Sequence, residues 1–211
     1  MSHSRIIIWR HGRTSWNAEM RWQGQSDIPL DEVGVVQAAS AAQKLVEYSP
    51  VKIVSSDLMR AERTANSLAE LVGLPIEIDQ RLRETNGGIW EGMTQEDIRR
   101  DHDEYLQSWL KDAAVPAGVT GETRDAVADR VASAIVEHAS ATDGTLVVAT
   151  HGGAARVAIL KMLGLPMDYS ARFKVLNNCG WAVLDLDEDH GLWRVSEYNV
   201  TASKPLPESH L

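Results

Sequence analysis

Two histidines in this 211-residue chain stand where apolar runs break off. Arg10-His11-Gly12 follows Ile6-Ile7-Ile8-Trp9, and His151-Gly152-Gly153 follows Leu146-Val147-Val148-Ala149-Thr150. Ser55-Ser56-Asp57 closes a third such run with Arg60 one turn beyond it, and Glu84 lies in Leu82-Arg83-Glu84-Thr85. A neutral imidazole with one ring N–H held by an acceptor is a nucleophile through its other nitrogen. Arginine forks bind phosphate oxygens bidentately and stay charged at any working pH. Phosphoryl transfer asks chiefly for in-line placement, stabilisation of charge on the equatorial oxygens and an acid for the departing alkoxide. His11 as nucleophile, Arg10, Arg60 and His151 around the phosphate, and Glu84 as the acid would make such a set, provided the fold brings them together.

The pattern of elements predicts that it does. Short apolar runs read as strands at residues 5–9, 51–54, 76–78, 145–149, 182–186 and 193–198, the fourth apolar enough to be central. A helix is predicted from Asp31, its N-cap, with Val35, Ala38, Ala39, Ala42, Leu45 and Val46 as the apolar face. The next carries Leu58, Ala61, Ala65, Leu68 and Val72 and stops at Gly73. Further helices are predicted over 95–110, 122–139 and 154–163, the last almost wholly apolar. Strands alternating with helices imply a three-layer α/β/α sandwich around a mostly parallel sheet. Ligands in such folds bind beyond the carboxyl ends of the strands, where Arg10-His11, Ser55-Ser56 and His151 all fall. Helix starts at those ends would add backbone N–H groups for an anion.

Each assignment has a plainer rival. Arg60 could pair with Glu62 or Asp57 on a solvated helix face, and Glu84 could form an exposed ion pair with Arg83 or Arg81. Asn17 could be a turn residue or a helix cap. His3 and His210 are tail residues, while His102, His138 and His190 sit in acidic or helical surface contexts, and none of the five is assigned chemistry. Arg99-Arg100 reads as a solvated face. Most of the seven tryptophans should be core, with Trp90 and Trp109 placed to roof a pocket.

Composition narrows the field. The net charge of −9 argues against a nucleic-acid or anionic-membrane surface, though local arginines can reverse the field inside one pocket. No run approaches membrane-spanning length. Cys179 is the only cysteine, so no intrachain disulfide can form and a reducing cytoplasm is the expected setting. The chain has no C-x-x-C, H-E-x-x-H, Walker A or G-x-G-x-x-G pattern.

Arg10-His11-Gly12-Arg13-Thr14, Trp16-Asn17 and Arg21-Trp22-Gln23-Gly24 resemble the opening of the histidine phosphatase, or phosphoglycerate mutase-like, superfamily. Leu30 to Ala38 as L-x-x-x-G-x-x-Q-A, Ser55 to Ala61, Thr64-Ala65, Leu82-Arg83-Glu84 and His151-Gly152-Gly153 follow in the same order. The resemblance implies a phosphoglycerate mutase-like fold in one domain over 1–211. It makes His11 the nucleophile, and places Arg10, Asn17, Arg60 and His151 around the phosphate. Glu84 becomes the general acid and later base, with Gln23 and Gly24 near the substrate. It implies no metal or other cofactor, a small phosphorylated metabolite as partner, and a monomer or homodimer. After Glu84 comes Thr85-Asn86-Gly87-Gly88-Ile89-Trp90-Glu91-Gly92-Met93-Thr94, with no tyrosine until Tyr105, which resembles the phosphatase branch rather than the mutases. Within that branch, Gln23 to Asp27, Asp79 to Thr85 and the Leu-Gly-Leu-Pro ending at Pro166 are similar to actinobacterial glucosyl-3-phosphoglycerate phosphatases. Residues 86–121 depart most and are the expected lid and specificity segment. The alternatives are a phosphoglycerate mutase, or a non-catalytic phosphate-binding protein on the same fold.

Overall fold

The computed structural model describes residues 4–202, so His3 and His210 lie outside the described residues. Side chains alternate along each strand, and that alternation separates two cores. In β1 (Arg5–Arg10), Ile6 and Ile8 join one apolar cluster while Ile7 and Trp9 join the other. β4 (Thr145–Thr150) does the same with Leu146 and Val148 against Val147 and Ala149, and every one of its residues is buried. With β2 (Pro50–Ser55), β3 (Ile76–Ile78), β5 (Trp181–Asp187) and β6 (Leu192–Val200) they form a six-stranded sheet in the order β3-β2-β4-β1-β5-β6. β1 to β4 run parallel, while β5 pairs antiparallel with both β1 and β6, so the sheet is mixed.

Helices cover both faces, as the alternating pattern predicts. α1 is the single turn Ser15–Ala18; α2 (Glu32–Leu45) and α3 (Met59–Val72) pack on the face of Ile7 and Trp9. α5 (Arg124–Ser140) and α6 (Gly152–Met162) pack on the face of Ile6 and Ile8. α3 ends at Gly73, whose φ of 69° suits a left-handed helix stop. Asp31 caps α2, its carboxylate accepting from the Gly34 N–H at 2.7 Å. The buried face of α2 is rotated from the predicted one: Gly34, Ala38, Ala41, Ala42 and Leu45 are buried, while Val35 and Val46 are exposed. The cause is backbone contact. A Cβ on Gly34 would lie 2.0 Å from the Arg13 carbonyl oxygen, so only a glycine lets α2 approach the chain leaving His11 so closely.

A third cluster lies over residues 86–121. α4 (Gln95–Lys111) bends at His102, which has a φ of −139°, and presents Ile98, Leu106 and Trp109 inward. Trp22, Trp90 and Trp109 meet edge to face, with ring centroids 5.3 to 5.6 Å apart. Of the minor histidines, His190 is exposed and pairs with Asp187. His138 is not the surface group that its helical context suggests. It is buried, with Nε2 3.0 Å from Asp79 and Nδ1 3.2 Å from Lys52, because its side of α5 faces β2 and β3. Arg100 pairs with Asp97 and Asp101 on a solvated face. No helix among the described residues is long and apolar enough to cross a membrane.

Candidate active site

His11 is the first residue past β1 and His151 the first past β4. Those strands are parallel neighbours in the middle of the sheet, with Arg10 opposite Thr150, so the two rings emerge side by side at their carboxyl ends. Their centroids lie 5.2 Å apart with planes at 59°. The His11 main chain is tied on both sides: its N–H donates to the Thr150 carbonyl at 3.0 Å, and its carbonyl accepts from the Cys179 N–H and Asn178 Nδ2 at 3.1 Å each. The turn leading into β5 supplies these last donors, because antiparallel β5 starts beside the end of β1.

The His11 ring has a defined chemistry. Nδ1 lies 2.7 Å from the Gly12 carbonyl oxygen, which can only accept, so Nδ1 carries the proton and the Nε2 lone pair is free. Burial, with the charges of Arg60 and Arg10, holds this imidazole well below its ordinary pKa and hence neutral. His151 is wholly buried and is likewise held well below, by burial first and then by Arg60. Its Nε2 lies 2.9 Å from the Ser56 hydroxyl, which itself accepts from the Leu58 N–H at 3.3 Å. When Ser56 donates its proton to Nε2, the ring's own proton sits on Nδ1. That Nδ1 is buried without a hydrogen-bond partner, as a donor meant for a ligand oxygen would be.

Arg60 is not on a solvated face. Its side chain has no exposure, and its guanidinium donates to the carbonyls of Gly24 at 2.7 Å and Ser26 at 2.8 Å. Burial pulls it down to about 10, still charged at neutral pH, with Glu84 the strongest opposing influence. Asp57 instead pairs with Arg83, at 2.5 and 2.8 Å. Gly24 adopts a φ of +53°, and a Cβ there would lie 2.1 Å from Glu91 Oε1. Glu91 accepts from the N–H groups of Gln25, Ser26 and Gly87, so it shapes the loop that holds Arg60 and ties it to the 86–121 segment. Arg10 donates to the Leu176 carbonyl at 2.5 Å. Asn17 is a cap, its Oδ1 accepting from the Thr14 N–H in a capping box. That bond uses the amide oxygen and leaves the Asn17 Nδ2 donors for the cleft.

Glu84 forms no ion pair with Arg83 or Arg81, which pair with Asp57 and with Asp79 and Glu137. Its carboxylate sits at the start of α6 and accepts from the N–H groups of Thr85, Gly153 and Ala154 at 2.8 to 2.9 Å. The N–H groups at this helix start are thus taken by Glu84, rather than pointing at a phosphate as the strand-to-helix pattern suggests. Arg130 fixes the approach to Glu84 by donating to the carbonyls of Arg81, Arg83 and Glu84 and to Glu122.

Seven of the eight residues singled out from sequence, namely Arg10, His11, Asn17, Gln23, Gly24, Arg60 and Glu84, line one cleft of about 180 Å³. The eighth, His151, is buried against His11. Gln23 is itself held by the Thr14 hydroxyl at 3.0 Å. Trp109 lines the same cleft, whereas Trp90 is buried behind it. Sequence reasoning missed Arg124 and Arg156, which also line it. A signal was present for Arg156, a cation inside the otherwise apolar stretch 154–160. Arg124 gave none, because its neighbours are those of any exposed helix start. No group of three or more His, Cys, Asp or Glu side chains among the described residues is arranged to hold a metal ion.

Comparison with known proteins identifies the family. The model of the histidine phosphatase superfamily (branch 1) matches residues 6–201. A glucosyl-3-phosphoglycerate phosphatase of Mycolicibacterium vanbaalenii is 37% identical over 216 residues, covering 94% of this chain and 95% of that one. A probable phosphoglycerate mutase, GpmB, of Shigella boydii is 34% identical, covering 98% and 94%. The solved structure of a mycobacterial glucosyl-3-phosphoglycerate phosphatase in complex with VO3 superposes with a TM-score of 0.88 at 35% identity, over 94% of this chain and all of that one. The chain belongs to the histidine phosphatase superfamily.

Proposed function

We propose that this phosphatase hydrolyses a small phosphate monoester through a phosphohistidine on His11, with Glu84 as the proton carrier. In the first step His11 Nε2 attacks phosphorus opposite the ester oxygen; the N–P bond forms, the P–O bond breaks, and Glu84 gives its proton to the alkoxide. In the second, Glu84 takes a proton from water, the resulting hydroxide attacks phosphorus, and the N–P bond breaks to release inorganic phosphate. Arg10, Arg60, Asn17 Nδ2 and the Nδ1–H of His151 hold the equatorial oxygens and balance their charge. Gln23 and Gly24 act through the loop that seats Arg60, and Gln23 also faces the substrate. One observation carries the reading: a buried, neutral His11 has its Nδ1 committed to the Gly12 carbonyl and its Nε2 free, in a cleft that Arg10 and Arg60 also line.

For the substrate we take glucosyl-3-phosphoglycerate, on the strength of the relatives that bear that name. The whole chain acts as one catalytic unit in which residues 86–121, through Gln95, Ile98 and Trp109 on the cleft wall, select among esters. The single cysteine fits a cytoplasmic setting. A phosphate-release screen over phosphorylated metabolites, including glucosyl-3-phosphoglycerate and 3-phosphoglycerate, tests this reading. Formation of 2-phosphoglycerate without phosphate release would instead support a mutase, and inactivity on every monoester a binding protein.

A further inference from the structure

Beyond the phosphate-binding groups, three more arginines line the cleft: Arg21, which pairs with Glu19, and Arg124 and Arg156. Arg124 is 6% exposed; its guanidinium lies 4.6 Å from the Trp109 ring centroid, and its Nη2 donates to the Trp109 carbonyl at 2.5 Å. Arg156 lies on α6, five residues past His151. The Nε of each is buried without a hydrogen-bond partner, and both side chains reach the cleft that His11 lines. Neither is paired with a carboxylate: Asp112, Asp125 and Asp168 act on Arg124, and Tyr198 and Glu84 on Arg156, only at a distance. Burial and then the charge of Arg156 lower Arg124, and burial lowers Arg156. A buried guanidinium repelled by a second, partly buried one with no paired carboxylate is unfavourable, and a ligand that supplies the anion relieves this. The phosphate of a monoester does not serve both places, since Arg10, Arg60 and both imidazoles already surround its position.

We propose that Arg124, supported by Arg156, is the specificity-determining residue that receives a second anion on the substrate, a carboxylate a few bonds from the phosphate ester. This rests on the phosphatase reading and names the substrate class, phosphorylated hydroxy acids. The planar fork of Arg124, pinned by its Trp109 stack, is preorganised for two parallel bonds to a carboxylate. The glucosyl-3-phosphoglycerate suggested by the relatives carries such a group on its glycerate part.

The test compares 3-phosphoglycerate with glycerol 3-phosphate, which differ in the carboxylate. The wild-type protein should favour 3-phosphoglycerate at least tenfold in kcat/KM. Arg124→Met should collapse that ratio towards one, mainly through KM, and Arg124→Lys, which keeps the charge and loses the fork, should give an intermediate ratio. General damage to the fold lowers both rates together and leaves the ratio standing, so an unchanged ratio in both variants overturns the proposal. Equal wild-type rates on the two esters overturn it without any variant. Calorimetric binding of both esters to His11→Ala gives a readout free of turnover. Equal affinities there sink the carboxylate site, whereas tighter binding of 3-phosphoglycerate with no hydrolysis by the wild type sinks the phosphatase mechanism alone.

Discussion

Oε2 of Glu84 accepts a single hydrogen bond, from the Gly153 N–H at 2.9 Å, whereas Oε1 accepts two, from Thr85 and Ala154. Oε2 therefore keeps an uncommitted lone pair and is the oxygen suited to exchange a proton with the leaving group. Replacing Glu84 by Gln should cut turnover of an alkyl phosphate by about 10²–10⁴-fold, the usual worth of a positioned acid. The loss on p-nitrophenyl phosphate, whose leaving group hardly needs a proton, should stay below about tenfold. Equal losses on the two substrates would count against Glu84 as the acid.

A covalent intermediate on His11 makes a separate prediction. Rapid quenching with radiolabelled substrate should trap one labelled phosphate per chain, stable in base and lost in acid, as expected of a phosphorus–nitrogen bond. His11→Ala should abolish the label and reduce turnover by roughly a thousandfold or more. Persistent labelling in that variant would place the nucleophile elsewhere.

The two imidazoles also predict how stability follows pH. Both are held below 6.5 in the folded protein, first by burial and then by neighbouring cations. Below about pH 6.5 the unfolded chain takes up protons that the folded one refuses, so stability is complete above that pH and declines as pH falls towards the folded values. Each ring contributes at most about 1.4 kcal/mol per pH unit within the window. Thermal unfolding between pH 7.5 and 5 should show the decline, and His151→Gln should flatten it. An identical slope in that variant would mean that His151 titrates normally.

Glu91 touches no substrate in the proposed mechanism, yet it accepts from three backbone N–H groups and from the Ser26 hydroxyl at 2.6 Å. Glu91→Ala should destabilise the fold by about 1–3 kcal/mol through donors left without an acceptor. Because the same loop carries the carbonyls that hold Arg60, affinity for inorganic phosphate, measured as competitive inhibition, should weaken several-fold. Unchanged inhibition would separate Glu91 from the setting of Arg60.

Much of this site was legible in the chain because strand ends in an open α/β sheet converge, and the polar interruptions at His11, Ser56 and His151 mark three of those ends. Asp31 as a cap and Gly73 as a stop were equally plain, being local chemistry. Less legible were features set by tertiary contact. The rotation of α2 came from Gly34 meeting the Arg13 backbone, which outweighed the apolar preference of Val35. The burial of His138 depended on which side of α5 met the strands. Arg60 held by carbonyls and Glu84 held by N–H groups replaced the ion pairs that sequence proximity suggested, since side chains one to three residues apart need not face one another. Arg124 went unnoticed because a solvated helix start and a buried one read alike until the partner surface is known.

The anchoring of the His11 carbonyl by Cys179 and Asn178 has a consequence for biosynthesis. When the ribosome has made residue 151, both imidazoles and both phosphate-binding guanidiniums exist, but the backbone beneath the nucleophile is still unanchored on one side. Those donors, at positions 178 and 179, lead into β5 over 181–187, whose outer neighbour runs to residue 200. A nascent chain should therefore hydrolyse nothing until these later strands have joined the sheet, which keeps a reactive imidazole from meeting metabolites before its support is in place.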